Sequence, residues 1–350
     1  ALVAIGVVYG DIGTSPMYVM KSIMAGNGGL SSMGVELVLG SLSLVIWTVI
    51  LLTTVKYVMV AMQADNHGEG GIFSLYSIVR RYRKNLIAFA MIGGAALLAD
   101  GVLTPAVTVT TAIEGLRSIP TFDALLQDGQ ARIVQITLLI IAVLFLIQRA
   151  GTSSIGKAFG PIMMVWFLFL AGMGIYNMSG NLTVLQALNP ALALKVLVGP
   201  YNKMGFFILG SVFLATTGAE ALYSDMGHVG KGNIYISWPF VKVCLILNYL
   251  GQGAWLIENQ SNKALYDLED LNPFFQMIPQ DMRPIAVLLS TAAAIIASQA
   301  LITGAFTLVA EACKLDLMPH MQIIYPAKTK GQLYIPLVNT CLWVGCSVLV

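Results

Sequence analysis

The chain has 350 residues, of which 57% are hydrophobic and only 10% charged, with a mean hydropathy of +0.80. A soluble domain carries about 25% charge, so the composition excludes a water-soluble globular protein and points to a bilayer. A formal net charge of +2 says little about partners, and no nucleic acid is expected.

Nine stretches are long enough to cross a membrane, which takes about 20 apolar residues per helix. They lie near 1–26, 36–62, 86–117, 131–148, 158–178, 205–227, 235–257, 284–312 and 335–350. Apolar runs at both ends lead us to expect a piece of a longer protein, and nothing at the start has the basic region and cleavage site of a signal peptide.

The first span carries Asp11 among helix breakers, in Gly10-Asp11-Ile12-Gly13-Thr14-Ser15-Pro16. A charge at membrane depth costs several kcal/mol, and irregular backbone there is tolerated only where it lines a protein-enclosed cavity. The expectation is a broken helix with an ion site at the break. The third span brings Asp100 close to the midplane, with Thr104 and Thr108 at i+4 and i+8 on the same face. Pro105 has no N–H, so the Gly101 carbonyl is freed and is expected to join that polar face. The sixth span holds a second candidate break at Thr217-Gly218, with Glu220 three residues past Thr217.

The first and sixth spans are separated by four intact ones. That is the spacing of a five-helix unit repeated in inverted orientation with a discontinuous first helix in each copy. Carbonyls at the breaks, the three acids and several hydroxyls make an oxygen-lined, net-negative cavity that favours a cation. His67, His228 and His320 all fall in loops, and Cys244, Cys313, Cys341 and Cys346 show no metal spacing, so a transition-metal site is disfavoured and the cysteines read as free packing thiols. The loop 64–71, rich in glycine and acids, reads either as a cytoplasmic gate or as an ordinary polar turn. Arg80, Arg81, Arg83 and Lys84 after the second span, with Arg149, Lys157, Lys231, Lys314, Lys328 and Lys330 on the same side, place the N-terminus in the cytoplasm by the positive-inside rule. No nucleophile–base pair sits at a common depth, and an enzyme is not expected.

The opening Gly6-Val7-Val8-Tyr9-Gly10-Asp11-Ile12-Gly13-Thr14-Ser15-Pro16-Met17-Tyr18 closely resembles the signature of the Kup-type potassium uptake proteins, the KUP/HAK/KT family. The resemblance continues through Leu103-Thr104-Pro105-Ala106, Glu220-Ala221-Leu222-Tyr223-Ser224-Asp225, Asn248-Tyr249-Leu250-Gly251-Gln252 and Asn272-Pro273-Phe274-Phe275. It implies an all-α polytopic membrane protein with a LeuT-like fold of the amino acid-polyamine-organocation superfamily, an inverted five-helix repeat with broken first and sixth helices. Residues 1–350 then form a single transmembrane domain, with a first repeat at about 1–178 and an incomplete second at about 205–350. Further helices and a cytoplasmic C-terminal domain are expected beyond residue 350.

The resemblance also implies proton-coupled potassium uptake across the cytoplasmic membrane by alternating access. An amino-acid or polyamine transporter of the same fold is the alternative. The potassium-binding residues it implies are Asp11, Tyr18, Asp100, Thr104, Thr217 and Glu220, with Asp11 and Asp100 as direct K+ ligands. Glu220 is read as the carrier of the coupling proton, and Asp11 as the second candidate. No cofactor is expected. K+ is the transported ion and H+ the coupling ion; a homodimer and a nucleotide second-messenger regulator are kept open as partners beside the lipid bilayer.

Overall fold

In the computed structural model the helices cross where the sequence supplies glycine. The described residues are 2–66, 68–123, 130–150, 156–266, 271–325 and 333–350, and they hold seventeen α-helices. In order these are α1 (Leu2–Val8), α2 (Gly10–Thr14), α3 (Val19–Gly26), α4 (Val35–Thr48), α5 (Ile72–Val79), α6 (Ile87–Glu114), α7 (Pro120–Asp123), α8 (Gln130–Ile147) and α9 (Gly156–Met178). There follow α10 (Pro190–Val198), α11 (Ile208–Phe213), α12 (Ala221–Ser224), α13 (Met226–Val229), α14 (Lys231–Asn259), α15 (Pro273–Gln276), α16 (Arg283–Lys314) and α17 (Pro336–Leu349).

Among the described residues seven helical stretches are long and apolar enough to span a membrane: Val35–Gln63, Ile87–Ser118, Gln130–Ile147, Ala158–Met178, Gly205–Ser224, Lys231–Asn259 and Gln280–Lys314. Two of the nine expected spans therefore differ. The first is divided into α1, α2, a 3₁₀ turn at Ser15–Met17 and α3, so none of its pieces reaches full length, and the last is the 14-residue α17. The second span continues past α4 as a wider, π-type helix from Val49 to Val60, which the apolar periodicity did not foreshadow.

Between apolar helices in a membrane there is little hydrophobic drive, so small residues that let backbones approach decide the crossings. A Cβ on Gly6 of α1 would lie 2.4 Å from the Gly160 nitrogen of α9. One on Gly251 of α14 would lie 2.6 Å from the Gly174 Cα of α9, and one on Gly10 of α2 2.9 Å from the Ala297 Cα of α16. The broken first segment is thus pressed between α9 and α16, and α14 closes the other side of α9. Trp166, Phe167, Tyr9, Ile12, Met17 and Trp238 fill the core around it. Lys21 of α3 meets Glu114 of α6 at 2.7 Å.

In the loop 64–71 the backbones of Asn66 and Glu69 bond to each other, as in a turn, and the flanking residues pack on the sixth span. Tyr223 of α12 donates its hydroxyl to the Ala64 carbonyl, and a Cβ on Gly70 would lie 1.9 Å from the Tyr223 carbonyl oxygen, so the loop is seated directly under the end of the sixth span. His67, Lys328 and Lys330, named from the sequence, lie outside the described residues.

Candidate ion-binding site

Asp11 sits in the single turn of α2, between the kink at Tyr9 and the 3₁₀ turn at Ser15–Met17. It is only 4% exposed, and neither carboxylate oxygen has a hydrogen-bond partner. Its charged neighbours are Asp100 and Glu220. An unpaired buried carboxylate costs several kcal/mol, and like charges beside it add to that cost, so the position is built for a proton or a cation.

The second break brings the sixth span against it. After α11 and a 3₁₀ turn at Leu214–Thr216 the chain opens at Thr217 (φ −55°, ψ 136°) and Gly218 (φ +79°), then resumes as α12. The break expected at Thr217-Gly218 is therefore present. A positive φ suits glycine, and space demands it too, because a Cβ on Gly218 would lie 2.8 Å from Asp11 Oδ2. The two interruptions meet face to face.

On α6, Thr104 donates to Asp100 Oδ1 at 2.9 Å while Asp100 Oδ2 is buried without a partner, and Thr108 donates to the Thr104 carbonyl at 2.7 Å. The shared face expected from the i, i+4, i+8 spacing is realised. The Gly101 carbonyl is not part of it. It points toward α17, with Cys346 Sγ 4.0 Å away, because Gly101 packs against Ala305 and Leu342 on the other side of α6.

Tyr18 is buried and its hydroxyl lies 3.3 Å from Ser15 Oγ, with Thr217 also beside it. Thr217 spends its own hydroxyl hydrogen on the Leu214 carbonyl at 2.7 Å, which closes the interrupted turn and leaves its oxygen only as an acceptor. Glu220 immediately precedes α12, without a side-chain bond to its first turn, and neighbours Asp100. It lines two cavities. One also carries Asp11, and the other carries Asp100, Thr217 and Lys56. All six residues singled out in the sequence therefore belong to one neighbourhood.

The carbonyls at the first break are a different matter. Trp166 Nε1 donates to the Gly13 carbonyl at 2.9 Å, Gln252 Nε2 to that of Pro16 at 2.8 Å, Asn272 Nδ2 to that of Met17 at 2.9 Å, and Thr14 Oγ1 to that of Asp11 at 2.8 Å. These oxygens are already engaged by α9, α14 and the residue capping α15, so the break is a braced scaffold more than an open ring of ligands. Asn248 joins the brace, accepting from Gln252 and donating to Leu170. The brace was missed from sequence; two amides four residues apart inside an apolar helix, Asn248 and Gln252, were the available signal. Lys56 was missed as well. It lies within the π-type stretch, its ammonium lies over the Tyr57 ring, and it lines the cavity of Asp100 and Glu220.

Among the described residues no group of three or more His, Cys, Asp or Glu is disposed to hold a metal. The acids here are spread along a cavity wall and alternate with hydroxyls, an arrangement of hard oxygen donors that suits a weakly held monovalent cation as cargo.

Fold and site together define a class: an all-helical, multi-pass membrane protein with an acid-lined site inside its helix bundle. The family can be stated more closely. The model of the K+ potassium transporter integral membrane domain matches residues 1–350, and the chain belongs to that family. It is 62% identical to a "Probable potassium transport system protein Kup" of Enterococcus faecalis over 349 residues, covering 100% of this chain and 52% of the relative. It is 60% identical, with the same coverage, to the protein of that name from Clostridium perfringens, and 61% identical to "Probable potassium transport system protein Kup 1" of Lactococcus lactis, again over 100% and 52%. The chain spans about half the length of the curated relatives it matches.

This membership corrects the fold class expected from the sequence. The match along the whole chain is to the K+ transporter membrane domain, which is not a LeuT-like fold of the amino acid-polyamine-organocation type, so the LeuT-like assignment with its inverted five-helix repeat does not stand. The all-helical, polytopic part of the expectation holds, with seven long apolar helices. The broken first and sixth segments are features of this chain and carry no wider fold assignment.

Proposed function

We propose that this chain forms the ion-binding membrane part of a potassium-uptake transporter, in which K+ enters with H+ by alternating access and the N-terminus is cytoplasmic. The observation that carries the reading is Asp11: a carboxylate 4% exposed, with both oxygens unpartnered, pressed against the second helix break and flanked by two more acids. Such a group is stable in a membrane only when a cation or a proton neutralises it. The names of the relatives supply the identity of the cation.

K+ exchanges its water for Asp11, Asp100 and the oxygens of Tyr18, Thr104 and Thr217. Glu220, placed between the two cavities, carries the coupling proton. With the membrane negative inside, each extra positive charge moved inward gains about 2.3 kcal/mol per 100 mV, so a cotransported proton deepens the accumulation the cell sustains. The amino-acid alternative is not favoured, since Asp11 would repel a substrate carboxylate. Rubidium uptake into liposomes holding the reconstituted protein, under separately imposed pH and voltage gradients, tests the reading. Uptake driven by each gradient separately supports it; uptake indifferent to pH at fixed voltage removes the proton, and no uptake at all removes the transport assignment.

A further inference from the structure

The cavity that contains Asp11 and Glu220 does not end with them. It amounts to about 60 Å³, room for a few waters. It continues along one face of α16, where Ala300, Gly304, Thr307, Leu308 and Glu311 follow at helical spacing. Four of its lining residues are carboxylates, Asp11, Glu220, Asp225 and Glu311, and none of the described lining residues is basic. From Ala300 to Glu311 the helix rises about 16 Å at ~1.5 Å per residue, so the hollow is a narrow track. Gly70, Gly71 and Ile72, from the loop wedged under α12, also line it.

Beyond this floor lies a second, wider hollow, open to the face that carries loop 64–71 and lined by Asn66, Glu69 and His228 among others. Only Thr307 and Glu311 line both hollows among the described residues. They stand at the neck between the central site and that face. Lys314 is one helical turn further along, yet Glu311 forms no ion pair among the described residues. The second sign of a ligand is Asp11 itself, nine-tenths buried and unpartnered, which opens into the same track at its other end.

We infer that Glu311, with the Thr307 hydroxyl, forms a relay subsite for a monovalent cation passing between the Asp11 site and the loop 64–71 face. The inference rests on the transport reading above and adds a station to it. A cation leaving Asp11 must cross a track too narrow for its full hydration shell, and a carboxylate at the neck replaces part of the water it has not yet recovered. Glu311 therefore governs how fast the ion crosses, and Asp11 how tightly it is held.

The test uses full-length protein with two readouts: equilibrium rubidium binding in detergent, and rubidium exchange across liposomes. Glu311→Gln is expected to keep the dissociation constant within about twofold while exchange slows about tenfold, the loss of one attractive charge at the neck. Glu311→Asp should recover most of the rate. Should Glu311→Gln fail to reach the membrane, Glu311→Cys in a Cys341→Ser background is treated, once folded, with an anionic or a cationic thiosulfonate. The anionic adduct should exchange about tenfold faster than the cationic one. Exchange by Glu311→Gln within twofold of wild type, equal rates for the two adducts, or a loss of binding as deep as that of Asp11→Asn would each overturn the relay. Wild-type protein that neither binds nor exchanges rubidium would overturn the transport reading, and the relay with it.

Discussion

Replacing Asp11 by Asn removes one formal charge with almost no change of volume, and the surroundings of Asp11 allow its consequences to be worked out. A cation in contact with the carboxylate at about 3 Å gains roughly 5–6 kcal/mol at an effective dielectric near 20. Asn keeps one carbonyl oxygen as a ligand, and the ligand-free protein no longer holds an unpartnered charge beside Asp100 and Glu220. After those offsets a net loss of about 2–4 kcal/mol remains, which is roughly 30- to 1,000-fold in affinity. The same change relieves the ligand-free fold by about 1–3 kcal/mol, the usual penalty of an unsatisfied buried polar group. The two effects have opposite signs in one experiment. Wild-type protein melted in choline buffer should gain about 2.7 kcal/mol when K+ reaches a hundred times its dissociation constant. Asp11→Asn should start from a higher melting temperature and gain almost nothing from K+. A mutant that keeps a K+-dependent shift with a midpoint within threefold of wild type would refute the placement of the ion at Asp11. One that melts lower than wild type without K+ would refute the claim that the charge is unpaired.

Four other variants read the remaining parts of the site. Thr104→Val removes the hydroxyl that donates to Asp100 Oδ1, and Thr217→Val removes the bond that closes the turn at Leu214; each should weaken rubidium binding about two- to tenfold, the scale of one hydrogen bond, and total loss of binding in well-expressed protein would contradict that supporting role. Glu220→Gln should leave rubidium binding and exchange in place while abolishing the acidification of the liposome lumen that accompanies K+ entry; persistent acidification in proportion to K+ would move the proton to Asp11 or Asp100. Gly218→Ala should cost about 1–2 kcal/mol for the backbone at φ +79° and should push the Asp11 carboxylate aside, so that rubidium affinity falls at least tenfold; unchanged affinity by equilibrium binding would show that the two breaks are not in functional contact.

Much of the site was legible along the chain because its signals are local. A carboxylate inside an apolar run is too costly to be incidental, and Asp11, Asp100 and Glu220 announce themselves on that ground. The i, i+4, i+8 placement of Asp100, Thr104 and Thr108 depends only on helix geometry, and the structure realises it. Gly218, beside Thr217, marks a break because only glycine takes a positive φ without cost.

What the chain order does not contain is which groups meet. Whether the carbonyls at the first break are ligands or braces depends on Trp166, Gln252 and Asn272, which lie 153, 236 and 255 residues from the oxygens they bind. The direction of the Gly101 carbonyl is decided by α17, which packs on the far side of α6. Glu311, which the sequence reading did not single out, acquires its place only when α16 lies beside α2 and Gly10 meets Ala297. The sequence by itself determined the membrane setting, the buried acids and the weak points of two helices, since each follows from the solvation and local conformation of a few neighbouring residues. The tertiary structure alone decided that the two weak points face each other and that a track of carboxylates leads away from them, because contacts between distant segments are set by the close packing of small residues across the whole bundle.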